Sequence, residues 1–309
     1  MAEETGAAAE PQWRRFARAS TQYGAPVGDY PALWQWSVEH PALFWRAVWD
    51  YFDIQAATAP APGDAGVLAD ATMPGARWFP GVTLNYVDQV LRHASGGGAA
   101  VVGIDENGTR TVIDWAALPG RVGAVAAELR RLGVGAGDGV VAYLPDIAEA
   151  VVAFLAAAAV GAVWSSCGQD YAPEGAAARL GQLAPKVLFS SDGYRFNGRW
   201  IDKRADTARL VELLSGTEGR SEATRGTTPV QLMLLDGAAY REVVANPVAP
   251  ETTPVPFDHP LWVLFTSGTT GRPKGIAHGH GGVLLEHLKS IVLHADIGPG
   301  DVFFWQTAL

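Results

Sequence analysis

From about residue 100 onward, short apolar runs alternate with longer helical patterns. Strand-like runs recur as "AAVVGID", "GVVAYLP", "APKVLFSSD", "VQLMLLD" and "PLWVLFTSG". Two helical stretches, "DWAALPGRVGAVAAELRRLG" and "AVVAFLAAAAVGAV", separate the first three of these runs. Strands separated by helices of this length are typical of a mainly parallel sheet. We therefore predict an α/β fold of layered, mainly parallel sheets flanked by helices.

Composition limits the classes of partner and compartment. The 309 residues are 48% hydrophobic and 18% charged, which is typical of a globular protein with a sizeable core. A net charge of −9 argues against a nucleic-acid partner. The single cysteine, Cys167, excludes an internal disulfide and a thiolate-only metal site. No signal peptide or membrane span is recognisable, so we predict a cytoplasmic protein without a membrane partner.

The N-terminal third has a different character from the alternating region. Residues 1–29 are predicted to be a flexible tail that leads into helices rich in aromatic residues. In "SVEHPALFWRAVWDYF" the large apolar residues recur at helical spacing, Ser37 is placed to cap the helix, and Pro41 falls in its first turn. We expect these aromatic side chains to pack against one another rather than to enclose a ligand.

A glycine- and hydroxyl-rich loop follows the last apolar strand, within "LFTSGTTGRPKGIAHGHGG" from Leu264 to Gly282. Its glycines allow positive φ angles and close approach, so successive backbone N–H groups can face an anion. Its hydroxyl groups add donors, and Lys274 adds a positive charge on a flexible stem. Ligands of open α/β sheets bind where strands end at their carboxyl side, as this loop begins. The predicted phosphate contacts are Thr266, Ser267, Gly268, Thr269, Thr270, Gly271, Lys274 and Gly275.

The Walker A loop is the obvious alternative, and the sequence does not match it. That motif needs Gly, four residues, Gly-Lys and then Ser or Thr. Here Gly271 is followed by Arg272, and Lys274 is followed by Gly275, so the hydroxyl that holds magnesium is missing. The strand-like "GIAH" follows the loop, and a helix is predicted only from about Gly282 to His294.

The segment "TSGTTGRPKG" resembles the phosphate-binding signature of the adenylate-forming enzymes, which include acyl-CoA synthetases, luciferases and peptide-synthetase adenylation domains. "SVEHPALFWRAVWDYF" and "WFPGVTLNY" resemble the N-terminal segment of short-chain acyl-CoA synthetases. "HPLWVLFTSGTTGRPKGIAHGHGGVLLEHLK" and "DGYRFNGRW" are most similar to acetoacetyl-CoA synthetases within that family. The resemblance implies an acyl-CoA synthetase N-terminal segment over 30–95 and an AMP-binding domain over 96–309.

The resemblance also implies a two-step reaction. A carboxylate, acetoacetate in the first place, attacks the α-phosphate of ATP to give an acyl-adenylate and pyrophosphate, and the thiol of coenzyme A (CoA) then displaces AMP. Magnesium accompanies ATP, and no metal site of the protein itself is expected. Lys274 and Thr269 would act on the β- and γ-phosphates as charge develops on pyrophosphate. By a weaker likeness, Gly198 and Arg199 in "YRFNGR" would contact CoA.

The chain also departs from that family. Family members are considerably longer. The segments that contact the adenylate and the ribose are expected beyond "FFWQTAL", and so is the C-terminal domain with its catalytic lysine. We therefore expect an incomplete N-terminal domain that does not catalyse the reaction alone. Two other functions stay open: a ligase for acetate, propionate or another short acid, and a non-catalytic nucleotide-binding remnant. The sequence does not predict an oligomeric state.

Three further residue types have both a chemical and a structural interpretation. His278, His280 and His287 follow the loop, but metal sites need three or four converging ligands, so packing is favoured over zinc binding. Cys167 has no recognisable activating base, which favours a small buried residue over a nucleophile. Trp164 is compatible with the border of an acyl pocket and equally with the core.

Overall fold

The structure, a computed structural model, describes residues 10–216, 229–266 and 271–305. Its residues form two compact units, one made of the segments up to Thr83 and from Gly281 onward, the other of Leu84–His280. The domain boundaries at 30–95 and 96–309 remain predictions. None of the helices in these described ranges is long and apolar enough to cross a membrane.

Helices and strands alternate through most of the described chain. The α-helices are α1 (Gln12–Ala19), α2 (Tyr30–Glu39), α3 (Pro41–Tyr51), α4 (Tyr86–Leu91), α5 (Leu118–Arg131), α6 (Ala148–Ala159), α7 (Pro173–Leu180), α8 (Arg204–Ser215), α9 (Ala238–Ala245) and α10 (His280–Leu288). The strands are β1 (Leu68–Asp70), β2 (Arg77–Trp78), β3 (Thr83–Leu84), β4 (Ala99–Ile104), β5 (Arg110–Asp114), β6 (Gly139–Tyr143), β7 (Val163–Cys167), β8 (Val187–Ser190), β9 (Gly193–Phe196), β10 (Arg199–Asp202), β11 (Gln231–Leu234), β12 (Val255–Pro256), β13 (Pro260–Thr266) and β14 (Lys274–Gly279).

A six-stranded sheet forms the centre of the second unit, in the order β11-β8-β6-β7-β13-β14. Its first five strands run parallel, and β14 is antiparallel to β13. The helices that connect consecutive parallel strands belong to the same unit. The predicted α/β fold with a mainly parallel sheet is confirmed.

Two adjacent inner strands of this sheet, β6 and β8, are buried throughout their length. Every residue of β6 and β8 is buried, which is why "GVVAY" and "VLFS" carry continuous apolar runs rather than an alternating pattern. Helix α6 is alanine-rich and mostly buried, because small side chains let a helix lie close to its neighbours. Burial of one large apolar side chain from water contributes about 1.5–3 kcal/mol, so these strands supply much of the stability of the unit.

The first unit corrects the prediction of a flexible tail over residues 1–29. Residues 12–19 form helix α1, and Phe16 in it is fully buried. The Phe16 ring meets the rings of Phe44 and Tyr51 edge-on, with centroids 5.9 and 5.3 Å apart. The tail is therefore wrong from residue 12 onward, because aromatic partners on α3 give α1 a surface to bury. The expectation that these aromatic residues pack against one another is confirmed.

The helix caps differ from the prediction in one respect. Ser37 lies inside α2, where its hydroxyl donates to the carbonyl of Trp34 at 2.7 Å, so it does not cap the next helix. Pro41 is the first residue of α3, as predicted. Asp29, which the sequence analysis missed, caps α2 by accepting a hydrogen bond from the Ala32 N–H at 2.9 Å.

Two antiparallel hairpins, β4–β5 and β9–β10, were also missed. Each turn contains an Asn-Gly pair, which is the strongest local signal for a two-residue hairpin turn. In the second turn Asn197 and Gly198 have φ of +50° and +73°, both in the left-handed region. Both hairpin tips carry charged residues.

Candidate phosphate-binding site

The predicted phosphate loop connects β13 to β14. Thr266 is the last residue of β13 and Lys274 the first residue of β14, and the two lie directly opposite each other in the antiparallel pair. Strand β14 follows the loop immediately, as predicted, and helix α10 begins at His280 rather than at Gly282. Both Thr266 and Lys274 are exposed. The hairpin tip therefore presents a hydroxyl group and an ammonium group side by side.

The structure describes only part of the predicted loop. Ser267, Gly268, Thr269 and Thr270 lie outside the described residues. The described part consists of Gly271 to Pro273, together with the strand residues on either side. Their assignment to ATP phosphates remains a prediction.

The tip lies at an edge of the sheet where several strands end. Because β6, β7, β8 and β13 run parallel, their last residues share the carboxyl edge of the sheet. These last residues are Tyr143, Cys167, Ser190 and Thr266. The carboxyl edge is where ligands bind in open α/β sheets, which is the location that the sequence predicts for the loop.

Glycine is required at two positions of the loop for different structural reasons. Gly271 has φ +102°, a conformation that a residue with a side chain rarely adopts. At Gly275 a Cβ atom would lie 2.7 Å from Val263 Cγ1 and 3.2 Å from Phe265 Cε1. Glycine at this position therefore lets the side chains of β13 fold across β14.

Lys274 has no ion-pair partner in the part of the chain that the structure describes. No carboxylate among those residues lies within 4.0 Å of its ammonium group. The loop backbone, by contrast, is held by Gln182, whose side-chain amide donates to the Pro273 carbonyl at 2.9 Å. The same amide group donates to the carbonyl of Ala178 at the end of α7. The described loop residues are thus tethered while the cation stays available.

The base of the hairpin is more tightly bonded than the tip. The Ser165 hydroxyl on β7 donates to the Val263 carbonyl at 2.8 Å. Across the hairpin, the Trp262 indole N–H donates to His278 Nδ1 at 3.1 Å. The buried Ser165 side chain thus fixes the position of β13 relative to β7. The Trp262–His278 pair fixes β13 relative to β14.

His280 completes the base. It is fully buried, and its Nδ1 accepts a hydrogen bond from the Tyr86 backbone N–H at 3.2 Å. Burial, together with neighbouring His259, lowers the pKa of His280 to about 3, so the ring is neutral at physiological pH. Because Nδ1 accepts, the proton sits on Nε2, which has no partner among the described residues.

His259, His278 and His280 therefore have structural partners. His259 Nε2 lies 2.8 Å from the carbonyl of Gly161, in addition to the contacts of His278 and His280. The described ranges of the chain contain no group of three or more His, Cys, Asp or Glu side chains that could hold a metal ion. Packing and hydrogen bonding account for these rings.

A buried polar network under the carboxyl edge was missed by the sequence analysis. The Gln169 amide donates to the Ser191 carbonyl at 2.8 Å, and the Ser190 hydroxyl donates to the Tyr143 carbonyl at 3.0 Å. The Tyr143 hydroxyl donates in turn to the carbonyl of Tyr171 at 2.6 Å. The local signals for this network are Gln169 in "SSCGQD" and the Ser190-Ser191 pair in "SSD". Its polar groups are paired, so it fixes the ends of three strands.

Two residues with open interpretations prove to be core residues. Cys167 is 5% exposed, and burial raises the pKa of its thiol to about 11. A thiol of that kind is not a nucleophile at neutral pH, which confirms the structural interpretation. Trp164 is 7% exposed and lies against the rings of Phe154 and Phe189.

The predicted CoA contacts lie at the tip of the β9–β10 hairpin. Gly198 occupies its turn, and Arg199 is the first residue of β10. Both are exposed. The turn amides at Asn197 and Gly198 bond the side chain of Glu106, which belongs to the tip of the β4–β5 hairpin.

Comparison with known proteins agrees with this fold. A family model described as AMP-binding enzyme matches residues 91–309. The chain belongs to the AMP-binding enzyme family. A second model, described as acetyl-coenzyme A synthetase N-terminus, matches residues 30–90.

Acetoacetyl-CoA synthetases are among the relatives that the chain resembles. The solved structure of the enzyme from Streptomyces lividans is 43% identical, with a TM-score of 0.86 over 97% of this chain and 46% of that one. The enzyme from Rhizobium meliloti (strain 1021) is 35% identical over 93% of this chain and 44% of its own length. The enzyme from Rattus norvegicus is 33% identical over 96% and 46%. The chain thus spans less than half the length of these relatives, and the resemblance to their family is confirmed.

Proposed function

We propose that this chain is part of an ATP-dependent acid–CoA ligase that converts acetoacetate, ATP and CoA into acetoacetyl-CoA, AMP and pyrophosphate. The observation that carries the proposal is the exposed tip of the β13–β14 hairpin, where uncommitted Lys274 lies opposite Thr266 at the carboxyl edge. The acetoacetyl-CoA synthetases among the relatives support the choice of acid.

In the first step, the acid carboxylate attacks the α-phosphate of ATP, an O–P bond forms, and the bond to pyrophosphate breaks. The loop from Thr266 to Gly275 holds the β- and γ-phosphates, and Lys274 stabilises charge that develops on the leaving pyrophosphate. An ammonium group about 4 Å from a phosphate oxygen gains roughly 4 kcal/mol at an effective dielectric constant near 20, before desolvation. Thr269 is proposed to donate a hydrogen bond to the same phosphates.

Magnesium enters this proposal as part of the substrate complex with ATP. The described residues include no group of three or more His, Cys, Asp or Glu side chains that could hold a metal ion. What this part of the chain contributes is hydroxyl groups, backbone N–H groups and one ammonium group. These groups bind phosphate oxygens, and Mg²⁺ neutralises part of the triphosphate charge before binding.

In the second step, the CoA thiol attacks the acyl carbon, a C–S bond forms, and the bond from that carbon to the AMP oxygen breaks. Gly198 and Arg199 are proposed to contact phosphate groups of CoA. Their exposed position on the β9–β10 tip is compatible with this role. A turn amide and a guanidinium group are both donors suited to phosphate oxygens.

Acid-dependent exchange of pyrophosphate into ATP tests the proposal. The polypeptide encoded by the complete reading frame is assayed with acetoacetate, acetate and propionate in parallel, and CoA-thioester formation is measured in the same samples. We expect acetoacetate to support the fastest exchange. Equal rates with all three acids would overturn the choice of acetoacetate. Absence of exchange with every acid would overturn the ligase and favour a nucleotide-binding remnant.

A further inference from the structure

The tips of two hairpins meet through an anion and a pair of turn amides. The Glu106 carboxylate, on the β4–β5 turn, accepts from the Asn197 N–H through Oε1 at 3.0 Å and from the Gly198 N–H through Oε2 at 3.1 Å. Both N–H groups donate to the same carboxylate, so they point in similar directions. Consecutive amides in this arrangement form a concave anion-binding site. Here a carboxylate of the chain itself occupies it.

Cations surround the same turn. Arg195 on β9 and Arg199 on β10 flank Asn197 and Gly198 in sequence, and both are exposed. The backbone N–H groups of Thr109 and Asn107, and more weakly Arg195, lower the pKa of Asp105 on the β4–β5 turn. The β9–β10 tip is therefore an electropositive, amide-donating surface, and the acidic β4–β5 tip lies against it.

Aromatic rings accompany these cations on the β9–β10 ribbon. Phe196 pairs with Arg199 across the two strands, and Trp200 pairs with Arg195. The rings are 58% and 53% exposed, respectively. An exposed ring beside a guanidinium group can stack with a planar base while the guanidinium binds a phosphate. The ribbon thus combines the groups that recognise a phosphorylated nucleotide.

We propose that Glu106 is an internal substitute for a ligand phosphate: it occupies the Asn197–Gly198 amides in the free chain, and the phosphomonoester of a nucleotide displaces it. This proposal rests on the proposed function, because it takes the β9–β10 tip as a CoA contact, and it adds a competitor for that contact. A phosphate dianion carries more charge and more acceptor oxygens than a carboxylate. Glu106 is exposed, so its displacement leaves no buried charge behind.

Competition from Glu106 lowers the affinity of the β9–β10 tip for its ligand. Replacement of Glu106 by glutamine keeps the size of the side chain and removes its charge. The turn amides then lose a charge-assisted partner and become easier for a phosphate to reach. The ligand is expected to bind more tightly to the variant than to the parent chain.

Calorimetric titration with adenosine 3′,5′-bisphosphate tests this proposal on the 309-residue chain. Adenosine, which lacks phosphate, and inorganic phosphate, which lacks the base, are titrated in parallel. We expect Glu106→Gln to bind the bisphosphate about fivefold more tightly than the parent chain, and Arg199→Ala to bind it more weakly. Glu242→Gln, an exposed carboxylate change on α9, is the matched charge control and is expected to bind like the parent.

The outcomes separate this proposal from the ligase proposal, because the titration needs no catalysis. Unchanged or weaker bisphosphate binding by Glu106→Gln, absence of binding by both proteins, or an equal gain in Glu242→Gln would overturn it. Tighter binding without ligase activity would support the proposal that Glu106 is a competitor and would overturn the ligase proposal. If the complete reading frame is active, Glu106→Gln is expected to lower KM for CoA about fivefold and leave kcat unchanged.

Discussion

The two ends of the β13–β14 hairpin are built in opposite ways. At its base Leu261 is fully buried, Val263 accepts a hydrogen bond from Ser165, and His280 is enclosed and neutral. At its tip Thr266 and Lys274 are exposed. The base therefore provides stability and fixes position, whereas the tip keeps a charged group available for a ligand.

This difference assigns stability and ligand binding to opposite ends of one hairpin. A buried side chain that loses its contacts costs unfolding free energy. An exposed cation without an ion pair costs little to remove, because water solvates it in the folded and unfolded states alike. Substitutions at the base should therefore lower stability, and substitutions at the tip should lower ligand binding or activity.

The largest effect on stability is expected from Leu261→Ala. Loss of this fully buried side chain should lower the free energy of unfolding by about 2–5 kcal/mol, measured by urea denaturation. Leu264→Ala is the matched control on the same strand, because Leu264 is 49% exposed and should cost less than about 1 kcal/mol. Equal losses at both positions would show that the base is not more tightly packed than the tip.

The pH dependence of stability should depend on His280. Its pKa is lowered to about 3 in the folded chain, against about 6.5 in an unfolded chain. As the pH falls below about 6.5, only the unfolded state takes up the proton, so this contribution is complete above that pH and is lost towards pH 3. Between pH 6.5 and 5.5 the loss is about 1 kcal/mol.

His280→Asn should remove that part of the pH dependence. Asparagine keeps an acceptor for the Tyr86 N–H and does not protonate in this range. Unfolding curves at pH 6.5 and 5.5 are compared for the parent, for His280→Asn and for His93→Asn, which changes an exposed histidine. A slope in His280→Asn identical to that of the parent would contradict a buried, neutral His280.

Ser165→Ala is expected to have a comparable or somewhat smaller effect. It leaves the Val263 carbonyl without its 2.8 Å donor inside the sheet, which should cost about 1 kcal/mol. Ser166→Ala is the control, because the Ser166 hydroxyl makes no hydrogen bond to the part of the chain that the structure describes. Thermal unfolding of both variants checks this, and a larger loss in Ser166→Ala would refute the role of Ser165.

The smallest effect on stability is expected from Gln182→Ala. Its bond to the Pro273 carbonyl is exposed, so unfolding free energy should change by less than about 0.5 kcal/mol. Release of the tether should weaken pyrophosphate binding about twofold to threefold, because the loop then loses conformational freedom when it binds. A titration with pyrophosphate measures this, and unchanged binding would show that the tether does not order the tip.

The central sheet was predictable because the burial of each strand is visible in its own sequence pattern. Strands β6 and β8 are buried on both faces, so each is a continuous apolar run that periodicity reveals. The hairpin β9–β10 was missed because its side chains are mostly exposed and carry no apolar alternation. The Asn197-Gly198 turn is the local sequence signal for this hairpin.

The predicted phosphate loop and the contact of Glu106 show where prediction from sequence ends. Its residue types follow from the sequence, and the opposition of Thr266 and Lys274 follows once the two strands around the loop are recognised. The tether from Gln182 joins residues 91 positions apart, and the contact of Glu106 with Gly198 joins residues 92 positions apart. Such contacts depend on how elements pack, which no local pattern encodes.

The most direct test of the account is the effect of Lys274→Ala on acid-dependent pyrophosphate exchange. Lys186→Ala, which removes the same charge at the amino end of β8, is the matched control. In the polypeptide from the complete reading frame, we predict that Lys274→Ala lowers exchange about 100-fold at unchanged unfolding temperature, while Lys186→Ala retains it. Undiminished exchange in Lys274→Ala would contradict the claim that the hairpin tip handles the phosphates of ATP.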